Sequence, residues 1–175
     1  MAIAGIPEVI HDFNMYLAGR KMSGGTTGEV KIPDFPSITS TTSGTGILGE
    51  YEAIVPGHYG SMEQEVPFRC INEDYWRLVN PSDAVELTLR GAIQYSEQAT
   101  QNAKQMGMRI VYRGRCKTIK IGTVKQRGPM DSSIVLELTY IMVEMDRRKR
   151  VELDKLNGVF KVNGVDMLAA VKRLT

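Results

Sequence analysis

Four carboxylates, Glu50, Glu52, Glu63 and Glu65, crowd into sixteen residues. Acids at that density can act as a general acid and base, or hold a hard cation. Neither use finds its companions here. No DxD spacing accompanies them, no glycine-rich phosphate loop lies nearby, and the two histidines, His11 and His58, stand far apart. Cys70 and Cys116 lack metal-ligand spacing and suit reduced thiols of a cytosolic compartment. We therefore expect a solvated acidic strand face, with no catalytic residue, no metal site and no cofactor, in a protein that is not an enzyme. A second charged feature, Asp146-Arg147-Arg148-Lys149-Arg150, falls between two strand patterns and carries no interleaved aromatics. That makes it a poor nucleic-acid patch. It reads as a solvated hairpin tip at which Arg147, Arg148 and Lys149 could dock an acidic partner.

Composition narrows the class. Apolar content of 42% and charged content of 24% are those of a globular domain, and 175 residues suffice for one core, so residues 1–175 are read as a single domain. A net charge of +2 supplies no global field to gather nucleic acid or a membrane surface. The opening MAIAGIPEV has no basic n-region and no apolar stretch of signal-peptide length. No apolar run approaches the ~20 residues that span a bilayer, so no direct membrane insertion is expected.

The elements that must position these residues are mostly strands. From Ser133 to Met145, Ile134, Leu136, Leu138, Tyr140 and Met142 alternate with Val135, Glu137, Thr139, Ile141 and Val143. This period of two argues a strand with one face buried and the other half-wet. At about 3.3 Å per residue it would run about 43 Å. A domain of this size is only about 40 Å across, from a radius of gyration near 16 Å. Such strands leave long open edges that another chain can pair with.

From Ala84 to Gln98, Val85, Leu87, Leu89, Ile93 and Tyr95 form a dry face. Glu86, Thr88, Arg90, Gln94 and Ser96 form a wet one. From Met108 to Gly122 the apolar phase shifts, and Gly114 is the bulge candidate. His11–Leu17 reads as a strand after a loose arm of eight residues, with a turn at Ala18-Gly19. Gly24, Gly25 and Gly28 suggest a bent strand over residues 22–31. Tyr51–Val55 and Ser61–Phe68 read as two strands or one bent one. Residues 37–49, rich in Ser, Thr and Gly, read as a long loop whose apolar ends could grip a neighbouring subunit. Asn72 caps a helix over residues 72–80, in which Trp76 should pack on the sheet and staple to Ile71. Asn157-Gly158 and Asn163-Gly164 mark turns, and Asp166 should cap a terminal helix over residues 166–174 with Met167, Leu168, Val171 and Leu174 as its apolar stripe.

Four stretches carry a family resemblance: Tyr112-Arg113-Gly114-Arg115 followed by Lys117; Leu138-Thr139-Tyr140; Val151-Glu152-Leu153-Asp154 with Leu156-Asn157; and Lys161-Val162-Asn163-Gly164-Val165-Asp166. In this order and spacing the closing third resembles the major tail tube proteins of contractile-tailed phages and R-type pyocins, departing from the pattern at Arg147-Arg148-Lys149.

The resemblance implies a mainly β (α+β) fold. Its form would be an antiparallel β-sandwich or partial barrel with a short packing helix and a C-terminal helix. Six copies would close a ring with a continuous β-barrel around its lumen, and rings would stack into a hollow tube inside a contractile sheath. The implied partners are further copies, the tail sheath protein, a baseplate or tube initiator and a tape measure protein. DNA or ions would pass through the lumen without specific binding. The location would be the virion tail or a phage-tail-like particle assembled in the bacterial cytoplasm.

On this reading the inter-ring contact is Ile38, Thr41, Thr42, Ile47 and Leu48, and the lumen-facing residues are Glu63, Glu65, Glu86, Thr88, Arg90 and Gln94. Arg147, Arg148 and Lys149 would contact the sheath or another partner. Two alternatives compete: a tube protein of a type VI-like secretion or other contractile injection system, and a monomeric β-barrel nucleic-acid-binding module. The second would want a basic, aromatic-lined groove, which 7% aromatics hardly supply.

Overall fold

The computed structural model describes residues 5–22 and 28–175. In chain order these form β1 (Gly5–Leu17), β2 (Arg20–Lys21), β3 (Ser37–Ser43), β4 (Glu50–Tyr59), β5 (Glu63–Phe68) and α1 (Glu73–Leu78). There follow β6 (Val85–Glu97), β7 (Ala103–Lys120), β8 (Ser132–Met145), β9 (Arg148–Asp154), β10 (Val159–Val162), β11 (Val165–Asp166) and α2 (Ala169–Leu174). One nine-stranded antiparallel sheet runs β11-β10-β9-β8-β7-β6-β1-β2, with β5 pairing to β8 beside β9. Among the described residues β3 and β4 pair only with each other. Among the described residues the ends of the large sheet do not pair with each other, so no closed barrel forms there.

Sharp turns make this meander possible. Ala18 and Gly19, Asp146 and Arg147, and Asn163 and Gly164 all have positive φ, the mirror-image two-residue turn that matches strand twist. The basic run is thus a hairpin tip, as expected. The core lies on one face of the sheet, with Leu87, Leu89, Ile110, Tyr112, Ile134, Leu136, Leu138, Ile141 and Leu153 buried. It is covered by Tyr75 and Leu78 of α1, by Met22, Val30, Phe35 and Tyr59, and by Leu168. The large sheet is therefore covered by a helix and irregular segments, and among the described residues the separate second sheet is only the two-stranded β3–β4 pair.

Two bulges set the phase. Arg113 opposes Tyr140 while Gly114 opposes Leu138, so Thr139 of β8 is the extra residue. Burial on β8 accordingly moves from Leu136 and Leu138 to Ile141. A register break does lie at Gly114, but the phase of β7 changes only at Lys117, the extra residue between Cys116 and Thr118. An ideal Cβ on Gly114 would stand 2.2 Å from the Glu137 carbonyl oxygen, so the bulged backbone needs glycine there.

Several expectations are corrected. The loose arm is strand from Gly5 on, because Glu97 and Ser96 of the long β6–β7 hairpin offer Gly5 and Ile6 a ladder; residues 1–4 lie outside the described residues. The bend at Gly24 and Gly25 also lies outside them. Residues 37–43 are strand rather than loop, laddered on β4, and only residues 44–49 form a tip. Trp76 is 55% exposed. Tyr75, Leu78 and Val79 share the inward face at i, i+3 and i+4, and Trp76 sits a hundred degrees off it, edge-on to Tyr75 at 5.3 Å. The cap is as expected: Asn72 Oδ1 accepts from Tyr75 N at 2.9 Å. Asp166 ends β11 and accepts from Leu168 N instead of capping α2, whose own residues are all unburied.

Candidate assembly surfaces

Directly paired residues on neighbouring antiparallel strands share a face. Glu63 pairs with Glu137 and Glu137 with Arg115; Glu65 pairs with Val135 and Val135 with Thr118. Glu86, Thr88, Arg90 and Gln94 pair with Arg113, Val111, Arg109 and Gln105. Following these ladders, with Lys117 as the bulge, brings all six proposed lumen residues onto one face of one sheet, opposite the core. Two wet strand faces in the sequence are a single surface in the fold. Thr88 is buried on that surface, between the Tyr16 and Val111 positions.

Its acids are matched by bases. Lys117 Nζ lies 2.7 Å from Glu63 and 3.1 Å from Glu137, and Lys120 Nζ lies 2.9 Å from Glu65. Arg113 Nε lies 2.7 Å from Glu86 and Arg109 Nη2 2.8 Å from Glu144. The Arg113 guanidinium stacks 4.8 Å over Tyr140, whose hydroxyl donates to Glu152 at 3.0 Å. Burial and that carboxylate push the Tyr140 phenol up to about 12. The Ser133 hydroxyl and then Lys120 hold Glu65 below the ordinary glutamate range. Exposed pairs of this kind contribute about 0–1 kcal/mol each, so their consequence is cancellation of charge rather than stability. Among the described residues no group of three or more His, Cys, Asp or Glu is placed to hold a metal ion, and no helix is long and apolar enough to cross a membrane.

The β3–β4 hairpin is the second surface. Its root packs where Tyr59 meets Phe35 and Phe160 edge-on at 5.9 and 5.4 Å. Beyond the root, both faces meet solvent. Ile38, Tyr51 and Ile54 are exposed, and Leu48 at the tip is fully exposed. Thr41 is exposed and Thr42 half-buried. A third surface is the β8–β9 tip, where Arg147, Arg148 and Lys149 are exposed and Lys149 reaches Glu152 at 3.0 Å.

Sequence reasoning passed over further exposed apolar groups, Ile6, Val9 and Ile10 of β1 and Ile119, Ile121 and Val124 at the end of β7, and of the stripe it did name on α2, Val171 and Leu174 are exposed. The PEVI and TIKIGTV runs were the available signal, but apolar residues in a strand read as core until the register shows otherwise. The outer side of β1 also stands open. Among the described residues it is bonded only over Met15 to Leu17, by β2 and by Met22 N donating to Met15 O at 2.9 Å.

Residues 7–174 match the family model described as phage tail tube protein FII. The chain is 35% identical over 169 residues to a tail tube protein of Escherichia phage P2, covering 96% of each chain.

Proposed function

This chain belongs to the phage tail tube protein FII family, and on that premise we propose how a tube subunit of the virion tail uses this fold. Copies pair side by side into a six-membered ring, and rings stack into a hollow tube within a contractile sheath. The observation that carries this reading is that, among the described residues, the outer edge of β1 over residues 5–14 has no ladder partner, at the margin of a sheet whose described strands do not close on themselves. An exposed edge of that length presents a row of unpaired N–H and C=O groups, and pairing with another copy satisfies them. The same step repeated around a ring removes the open edge of β1 in every copy, as closure does in a barrel.

The polar face bearing Glu63, Glu65, Glu86, Thr88, Arg90 and Gln94 then lines the lumen, where water accommodates polar side chains. Most cations of this face are already engaged, Arg109, Arg113, Lys117 and Lys120 with carboxylates and Arg90 over the Tyr16 ring, so it offers phosphates few free cations and nucleic acid passes without being held. The β3–β4 hairpin, through Ile38, Thr41, Thr42, Ile47 and Leu48, bridges one ring to the next. Arg147, Arg148 and Lys149 face outward to an acidic surface of the sheath. A tube initiator and a tape measure protein set where the stack begins and ends.

Sedimentation velocity and negative-stain microscopy over a concentration series test this. Rings and tubes should appear as concentration rises, and a monomer persisting at every concentration would sink the reading. Replacing residues 44–49 by Asn-Gly should leave rings that no longer lengthen.

A further inference from the structure

The β3–β4 hairpin is acidic, and the chain also exposes a basic strip of the opposite charge. Between Ser37 and Val55 the only ionisable side chains with a formal charge are Glu50 and Glu52. Both are exposed, next to Tyr51 and near the aliphatic tip Ile47-Leu48. The stretch from Arg115 to Arg127 has the opposite character. It holds Arg115, Lys117, Lys120, Lys125 and Arg127 with no acid, and it exposes Ile119, Ile121 and Val124. Lys117 and Lys120 are spent on Glu63, Glu137 and Glu65, whereas Lys125 and Arg127 are exposed and make no ion pair among the described residues.

The two surfaces also differ in rigidity. The loop after β7 is pinned: Thr123 N donates to Met130 O at 2.7 Å, and Met130 N to Arg69 O at 2.7 Å. At Gly122, with φ +88, a Cβ would lie 2.2 Å from Met130 O, so the loop is held close to its own return path. Among the described residues the hairpin has no third strand beside it, and such a ladder is marginal in water until something packs on it. Within one chain the apolar groups of both surfaces, Leu48 and Ile54 on one and Ile121 and Val124 on the other, stay exposed. A second apolar recess of about 290 Å³, lined by Ile10, Phe13, Val30, Ile32, Leu89 and Met108, has Glu29 as its charged lining residue and so matches the acidic hairpin poorly.

We propose that the β3–β4 hairpin of one copy docks on the Ile119–Arg127 strip of another copy, with Ile47 and Leu48 against Ile121 and Val124, and Glu50 and Glu52 facing Lys125 and Arg127. This rests on the tube reading and names the surface that receives the hairpin. A plug and socket on different parts of one chain make a head-to-tail contact, which propagates rather than closing as a dimer.

Charge reversal tests it. Glu50→Lys with Glu52→Lys should raise the lowest concentration at which tubes lengthen by about tenfold or more, because like charges then face each other. Lys125→Glu with Arg127→Glu should do the same, and the four changes together should restore lengthening. Glu52 accepts a bond from Thr39 inside the hairpin, so Glu50→Lys alone serves as the variant that leaves the ladder intact. Circular dichroism and melting of the unassembled subunit should match the unaltered protein in every case. Lengthening unchanged in either reversed pair, or no restoration in the fourfold variant, would overturn the socket. Failure of the unaltered protein to form tubes would instead overturn the tube reading beneath it.

Discussion

At Gly114 a single methyl group would collide with the backbone of β8, 2.2 Å from the Glu137 carbonyl oxygen. Gly107, on the same strand, has no atom within 4 Å of the equivalent position. Gly114→Ala should therefore destabilise the subunit by roughly 1–3 kcal/mol, the usual cost of overpacking. Gly107→Ala should be neutral or stabilising by at most ~1 kcal/mol through the unfolded chain. Urea midpoints of the two variants check this, and equal shifts would refute the account of the bulge. Glu65 yields a pH prediction. The Ser133 hydroxyl and Lys120 lower its folded pKa beneath the ordinary value of 4.5. The stability it contributes is therefore present above about pH 4.5 and lost as pH falls through the depressed folded value. Glu65→Gln should flatten the acid limb of the melting curve, and an unchanged limb would show that other carboxylates set it.

The elements differ in how openly they announced themselves. β8, β6 and α1 were legible because each has a periodic pattern or a cap. Asn72 with its two following acids marked the start of α1 as found, but which of Tyr75 and Trp76 turned inward depended on the orientation of a six-residue helix against β8. The β3–β4 hairpin was illegible as a ladder. SITSTTS has no alternation of apolar and polar residues, since neither of its faces packs on the chain's own core. Limited proteolysis gives the element its own test: the hairpin should be cut in the free subunit and protected in tubes. Equal protection in both states would mean that the hairpin is already held without a partner.

For the whole molecule, the sheet's open edge, the projecting hairpin and the unpacked α2 describe a subunit built to be completed by copies of itself. Deleting residues 169–175 removes no buried side chain, so melting of the free subunit should move by no more than about 0.5 kcal/mol, whereas tube formation should weaken. A large loss of subunit stability would place α2 in the monomer's own core.

Period-two patterning, paired turn residues and the KVNGVD ending sufficed, from sequence alone, to establish a mainly β chain of the tail tube type with strands longer than one core requires. These are local properties, written in side-chain order and turn chemistry. Only the tertiary structure could decide that Glu63, Glu65, Glu86 and Arg90 share one face, that lysines and arginines already neutralise those acids, and that Trp76 looks outward. Each of these depends on strand register across many residues, and a single bulge at Thr139 or Lys117 turns every side chain beyond it to the other side.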